Sequence, residues 1–89
     1  MVLTDLAKQF EEATEDSKNL RERPSNDTLL QLYSLYKQAT AGDADTEASP
    51  KNPFDFVAKA KYETWMRLKG KSKEAAMQEY ISLIEKLKT

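Results

Sequence analysis

Cysteine and histidine are both missing from this 89-residue chain, and only two glycines and one tryptophan occur. Without those two side chains there is no Ser-His-Asp triad, no cysteine nucleophile and no usual zinc site. A carboxylate, lysine or tyrosine could still do chemistry, but no paired arrangement stands out, so no enzyme, metal or cofactor is expected. No stretch approaches the ~20 apolar residues of a membrane span. The opening MVLTDLAKQF lacks a basic segment followed by an apolar run, so no signal peptide is expected. Together with the missing cysteines, this fits a cytoplasmic chain without stable membrane insertion.

What is present favours helix. Leu, Ala, Glu, Lys and Gln dominate, 33% of residues are charged, and β-branched residues are few. The length allows one domain, residues 1–89, with no room for a second core. Net charge is −1 but uneven: residues 1–23 carry four basic and six acidic groups, residues 24–49 one and four, residues 50–89 nine and five. A general nucleic-acid binder would be basic overall, so nucleic acid is not an expected partner. A compact polyanion met by a few chosen lysines needs no such excess.

Helical periodicity first runs from about Thr4 to Arg21, with Leu3, Leu6, Phe10, Ala13, Thr14, Ser17 and Leu20 on one face. Pro24 ends it, and Ser25 is a good N-cap for a second helix to about Ala41. There Gly42 can take the left-handed conformation that closes a C-terminus. Leu29, Leu32, Leu35, Tyr36 and Ala39 form the apolar face of that helix, with Gln31, Ser34 and Gln38 opposite. The aperiodic GDADTEASPKNP, residues 42–53, reads as a mobile loop, with Phe54 as an interior anchor at its end. A third helix is expected from Asp55 to Gly70. Ser72 then caps a fourth, with Ala76, Met77, Tyr80, Ile84 and Leu87 inward.

Loop lengths set the topology. The first and last connections are short, which predicts antiparallel hairpins. The middle loop can stretch to about 40 Å at roughly 3.3 Å per residue, whereas a sixteen-residue helix spans about 24 Å. The chain can therefore return along the second helix and start the third in the same direction. The expectation is an all-α, up-down-down-up four-helix bundle.

Within this frame several side chains sit close to the core for their chemistry. On the third helix Val57, Lys61, Thr64, Trp65 and Leu68 share one side, with Lys59, Glu63 and Met66 opposite. An ammonium in the middle of that stripe is costly unless something negative meets it. Tyr33, Tyr36 and Lys37 form an i, i+3, i+4 patch beside Leu30, Tyr80 lies in the apolar stripe of the fourth helix, and Lys18 borders that of the first. Each is tolerable alone, since tyrosines pack and lysines snorkel outward. A Lys61 salt bridge to a neighbouring helix is the competing reading, and periodicity does not choose between them. Together they suit an aromatic ring bearing phosphates, because rings stack on tyrosine and phosphate oxygens accept from ammonium groups. Trp65 and Phe10 read as packing.

The stretches YSLYKQATAGD (33–43) and KAKYETWMRLKGKSKEAAMQEYI (59–81), with RPSNDTLLQLY (23–33) before them, closely resemble the acyl-CoA-binding protein family. The likeness covers nearly the whole chain and implies the same up-down-down-up fold. It implies that Tyr33, Tyr36 and Lys37 hold the nucleotide half of coenzyme A and that Lys61 reaches the 3′-phosphate. It also implies that Tyr80 contacts the coenzyme A moiety with Lys18 beside it. Phe10, Ala13 and Leu30 are the expected acyl groove. The chain departs from the family at Val57, where many relatives carry a basic residue, at Tyr62, which replaces a tryptophan, and in EASPKNPFD (47–55), which lacks the usual Arg-Pro-Gly-like turn.

The implied function is an intracellular, monomeric carrier of long-chain fatty acyl-CoA, in transient contact with membranes or with enzymes that use its cargo. A helical module docking an acidic peptide is the alternative. With no histidine, calorimetric affinity for acyl-CoA should be nearly flat between about pH 6 and 8 once ligand phosphate ionisation is corrected for, and a step there would mean another group titrates in the site.

Overall fold

In this computed structural model the chain forms four helices: α1 (Val2–Ser17), α2 (Asn26–Ala41), α3 (Phe56–Met66) and α4 (Lys73–Lys88). Residues 2–45, 47 and 49–88 are described, with side chains from Asp5 onward. Leu3, expected on the inner face of α1, and Thr46 and Ala48 of the middle loop lie outside the described side chains. No strand occurs among the described residues.

Ser25 and Ser72 cap their helices as expected, and Asp55, expected as the start of α3, is its N-cap. Ser25 Oγ accepts from the Thr28 N–H at 3.2 Å, Asp55 Oδ1 from Ala58 at 3.0 Å, and Ser72 Oγ from Ala75 at 3.1 Å. Each satisfies a helix N–H that no earlier carbonyl can reach. Gly42 follows α2 with φ 84° and ψ −152°, a conformation beyond the left-handed helical region and open essentially to glycine alone.

Two helices end sooner than their periodicity suggests. α1 stops at Ser17 rather than Arg21, as the Lys18 and Asn19 N–H groups turn to the i−3 carbonyls of Glu15 and Asp16. α3 stops at Met66 rather than Gly70, because the Gly70 N–H donates to Asp43 Oδ1 at 2.9 Å and draws the chain out of register.

Side-chain contacts give the helix directions. Lys88 near the end of α4 bonds Asp16 near the end of α1 at 3.1 Å, so these two helices run the same way. Trp65 near the end of α3 donates to Gly42 O just past α2 at 2.9 Å, while Asn26 and Phe56 border one hollow at the other end. Hence α2 and α3 are also parallel. Gln38, late in α2, meets Lys71 O just before α4, which sets α2 against α4. The order is up-down-down-up.

Phe10, Ala13, Leu32, Leu35, Ala39, Ala76, Tyr80 and Ile84 form the core, shared by α1, α2 and α4. The main partner of α3 is α2 alone. That asymmetry overturns two details of the apolar pattern. Ser34 and Gln38, expected on the polar side of α2, are 2% and 0% exposed, since α2 is covered on more than one flank. Phe54, expected as an interior anchor, is 79% exposed.

Gln38 is the knot of the structure. Its Nε2 donates to Asp43 Oδ1 and to Lys71 O, both at 2.8 Å, joining the end of α2 to the middle loop and to the turn before α4. The Oε1 of the same amide is buried without a protein partner among the described residues. The loop is tied down as well: the Tyr62 hydroxyl donates to Asp45 O at 3.0 Å.

The Gly70 N–H, and after it the Gln38 amide, hold the Asp43 carboxyl below its ordinary value against the opposing effect of desolvation. A depressed folded-state value contributes stability that is present above the unfolded pKa of 3.8 and lost as pH falls through the folded one. Asp43→Asn should therefore flatten the acid limb of the stability–pH curve below about pH 4, read from urea midpoints at successive pH values. An unchanged acid limb would remove Asp43 from the knot's energetics.

Candidate functional site

The residues around the parallel pair α2 and α3 follow from how the pair is fastened. At their C-terminal ends Trp65 and Tyr62 bond the backbone of Gly42 and Asp45. Toward their N-terminal halves lies a hollow of about 640 Å³, lined by Asn26, Leu29, Leu30 and Tyr33 from α2 and by Phe56, Val57, Ala60 and Lys61 from α3. Arg23, just before α2, closes its rim and bonds Asn26 Oδ1 at 3.2 Å. A second depression of about 360 Å³ adjoins it, sharing Tyr33, Val57 and Lys61 and adding Pro50, Asp55, Ala58, Tyr62 and Trp65. The first is mainly apolar, and a polar wall begins at Tyr33 and Lys61.

Lys61 stands at that boundary, and Lys37 lies over Trp65, a wall of the second depression. The Lys61 ammonium lies 5.1 Å from the centroid of the Tyr33 ring, and the Lys37 ammonium 5.1 Å from that of Trp65. Among the described residues neither reaches a carboxylate within salt-bridge distance, although Lys18, Lys71 and Lys88 all do. The sequence left open whether Lys61 pairs with an acid of a neighbouring helix. It faces an aromatic ring instead. Both lysines are half-buried, and each ammonium is held by a contact of about 0.5–1 kcal/mol.

On the other flank of α2 a ring cluster forms. Phe10 meets Tyr80 edge-on with centroids 5.1 Å apart, stacks on Tyr36 at 5.9 Å, and the two tyrosine rings are 6.5 Å apart. Tyr36 is the outermost member and, with Phe10, Thr14 and Lys73, borders a further depression of about 520 Å³.

Of the residues singled out from the sequence, Tyr33, Lys61 and Leu30 meet at the hollow, and Lys37 lies over Trp65 of the adjoining depression. Tyr36 and Tyr80 meet in the ring cluster. Phe10 and Ala13 are buried in the core. Lys18 lies past the end of α1, exposed and 3.5 Å from Glu15. Val57 was read as facing a core but is 65% exposed, because α3 has the hollow and no further helix behind its first turn.

Periodicity gave no reason to place Arg23, Asn26, Phe56 or Ala60 at a site, and Leu29 was expected only on the apolar face of α2; no local signal in the sequence distinguishes them.

The family model described as Acyl CoA binding protein matches residues 7–84. The chain belongs to this family. It is 52% identical over 82 residues to the acyl-CoA-binding protein homolog of Drosophila melanogaster, covering 92% of this chain and 93% of that one. It is 47% identical over 78 residues to the acyl-CoA-binding protein of Saccharomyces cerevisiae, covering 88% and 87%. The crystal structure of acyl-CoA-binding protein 2 of Oryza sativa superposes with a TM-score of 0.83 at 41% identity, over 92% of this chain and 89% of that one. The four-helix, all-α arrangement described above is thus the family's.

Because the Lys61 ammonium has no charged partner among the described residues, Lys61→Ala should lower stability by no more than about 1 kcal/mol, the scale of a cation–π contact. Urea denaturation checks this, and a larger loss would mean Lys61 holds the fold.

Proposed function

We propose that this chain binds long-chain fatty acyl-CoA and carries it as a monomer in the cytoplasm, making and breaking no bond. The observation that carries the reading is two half-buried lysines, neither with its ammonium within salt-bridge distance of a carboxylate among the described residues: Lys61 lines an apolar hollow, and Lys37 is set over Trp65, a wall of the adjoining depression. Relatives sharing about half its residues are named for acyl-CoA binding.

The parts divide the ligand by chemistry. Lys61 and Lys37 leave their rings for phosphate oxygens, and Tyr33 and Tyr36 offer faces to the adenine. Tyr80 supports Tyr36 from beneath and directs its hydroxyl toward the head group, while Lys18 exchanges its exposed Glu15 contact for phosphate at the periphery. The tail lies against Leu29, Leu30, Phe56, Val57 and Ala60, with Phe10 and Ala13 backing the site from the core. Each methylene taken from water contributes about 0.8 kcal/mol. Each charge-assisted hydrogen bond contributes about 1.5–3 kcal/mol. Head contacts therefore select coenzyme A and fix its orientation, whereas affinity grows with tail length. An acidic-peptide dock would use the same cations but leaves the apolar hollow without a purpose.

Two measurements test this. Palmitoyl-CoA at a hundred times its dissociation constant should add about 2.7 kcal/mol to stability, and no upward shift in thermal melts would overturn the reading. Lys61→Ala should weaken binding roughly tenfold to a hundredfold by calorimetry. Unchanged affinity would take Lys61 out of the site.

A further inference from the structure

The hollow between α2 and α3 is polar at both of its ends. Because the two helices run parallel, Tyr33 and Lys61 mark one end, and Arg23 and Asn26 mark the other. Asn26 and Tyr33 stand seven positions apart on α2, which sets the ends about 10 Å apart at roughly 1.5 Å per residue. Between them the walls are Leu29, Leu30, Phe56, Val57 and Ala60. The described walls thus carry a cation at each end and no acidic residue.

The carrier reading uses the first cation for phosphate and leaves the second without a task, since a tail ending in a methyl group offers a guanidinium nothing to bind. Residues 21–27 carry Arg21, Glu22, Arg23 and Asp27, yet only Arg23 borders the hollow. Its side chain is exposed and reaches no carboxylate within salt-bridge distance among the described residues. Its Nη2 donates to Asn26 Oδ1 at 3.2 Å. That bond takes one of the five guanidinium N–H groups and holds the Asn26 amide by its oxygen, so Nδ2 is the end left to donate. A planar fork beside an amide donor matches a carboxylate, which accepts two parallel N–H bonds from a guanidinium. Against apolar wall alone a carboxylate is costly. At a rim open to water it keeps part of its hydration and gains the fork.

We infer that Arg23, with Asn26 beside it, receives an anionic group at the far end of the tail, so that the hollow accepts CoA thioesters of α,ω-dicarboxylic acids. This rests on the carrier reading and names a cargo class for the same hollow. Such a ligand is anionic at both ends with hydrocarbon between, the order in which the hollow presents cation, apolar wall and cation. The rival role for Arg23 is to lay its methylenes over the tail. That role is indifferent to how the tail ends, so the two are separable.

The test is calorimetry on the full chain with octanedioyl-, dodecanedioyl- and hexadecanedioyl-CoA, each beside the monocarboxylic ester of the same length. Wild type, Arg23→Ala and Arg23→Lys are compared by the ratio of the two affinities at one length, in which any general effect of the substitution on the hollow cancels. At the length that spans the hollow, Arg23→Ala should lower the relative affinity of the dicarboxylic ester roughly tenfold, the scale of a charge-assisted hydrogen bond. Arg23→Lys should restore only part of it, because an ammonium keeps the charge without the fork. A ratio that Arg23→Ala leaves unchanged at every length overturns the inference and assigns Arg23 to covering the tail. Wild type that binds the monocarboxylic esters and none of the dicarboxylic ones overturns it too, with the carrier reading intact. Absence of binding by both classes of ester to wild type overturns the carrier reading and the inference together.

Discussion

A single buried amide decides how this small bundle is put together. Gln38 faces the interior at the end of α2 and donates both its amide hydrogens, one to Asp43 and one to Lys71 O. Asp43 in turn takes the Gly70 N–H, and Gly42 O takes the Trp65 indole. Four hydrogen bonds thus gather the end of α2, the start of the long loop, the end of α3 and the turn into α4 at one pole. Burying an amide is costly unless its groups are met. These partners meet both hydrogens only if the chain segments arrive together, so the amide disfavours other arrangements of the same apolar surfaces.

Fastening one pole leaves the other free to hold a hollow. α3 rests mainly on α2 and is held at its C-terminal end by Trp65 and Tyr62, while its first turn has no further helix behind it. Phe56 and Val57 consequently keep water contact that a closed bundle would remove. Filling that space with a fourth-wall helix would stabilise the fold and abolish the hollow. The exposed apolar area is therefore a stability cost that is recovered only when something apolar occupies it.

Much of this was legible in the sequence, and what was not has a physical cause. Ser25, Asp55 and Ser72 announce their helix starts because a capping oxygen acts within three residues of itself. The topology followed from loop length against helix length, again a local quantity. Gln38 and Ser34 misled because periodicity assumes one buried face per helix, and α2 is covered from more than one side. The early end of α3 depends on Asp43, 27 residues away from Gly70, which no window along the chain contains. Phe54 misled for the opposite reason: it is apolar and stands outside. For the site, Tyr33, Lys37 and Lys61 were visible as polar groups too near apolar surface, but only the fold shows that rings and not carboxylates receive the two cations.

That choice of neighbour bears directly on how an anion would be received. Had Lys37 and Lys61 been paired with buried acids, a phosphate would have had to break each pair and leave a carboxylate stranded, a loss of several kcal/mol. A ring face holds an ammonium by only about 0.5–1 kcal/mol, and giving it up strands no carboxylate. A charge-assisted hydrogen bond to phosphate returns about 1.5–3 kcal/mol. On the proposed reading the balance favours transfer of each cation from ring to phosphate, and for Lys61 the move also uncovers the Tyr33 face that the base of a nucleotide would cover. On that reading the aromatic faces act as placeholders, keeping the cations near oily surface in the empty protein, at a position from which a short side-chain movement would complete the proposed site.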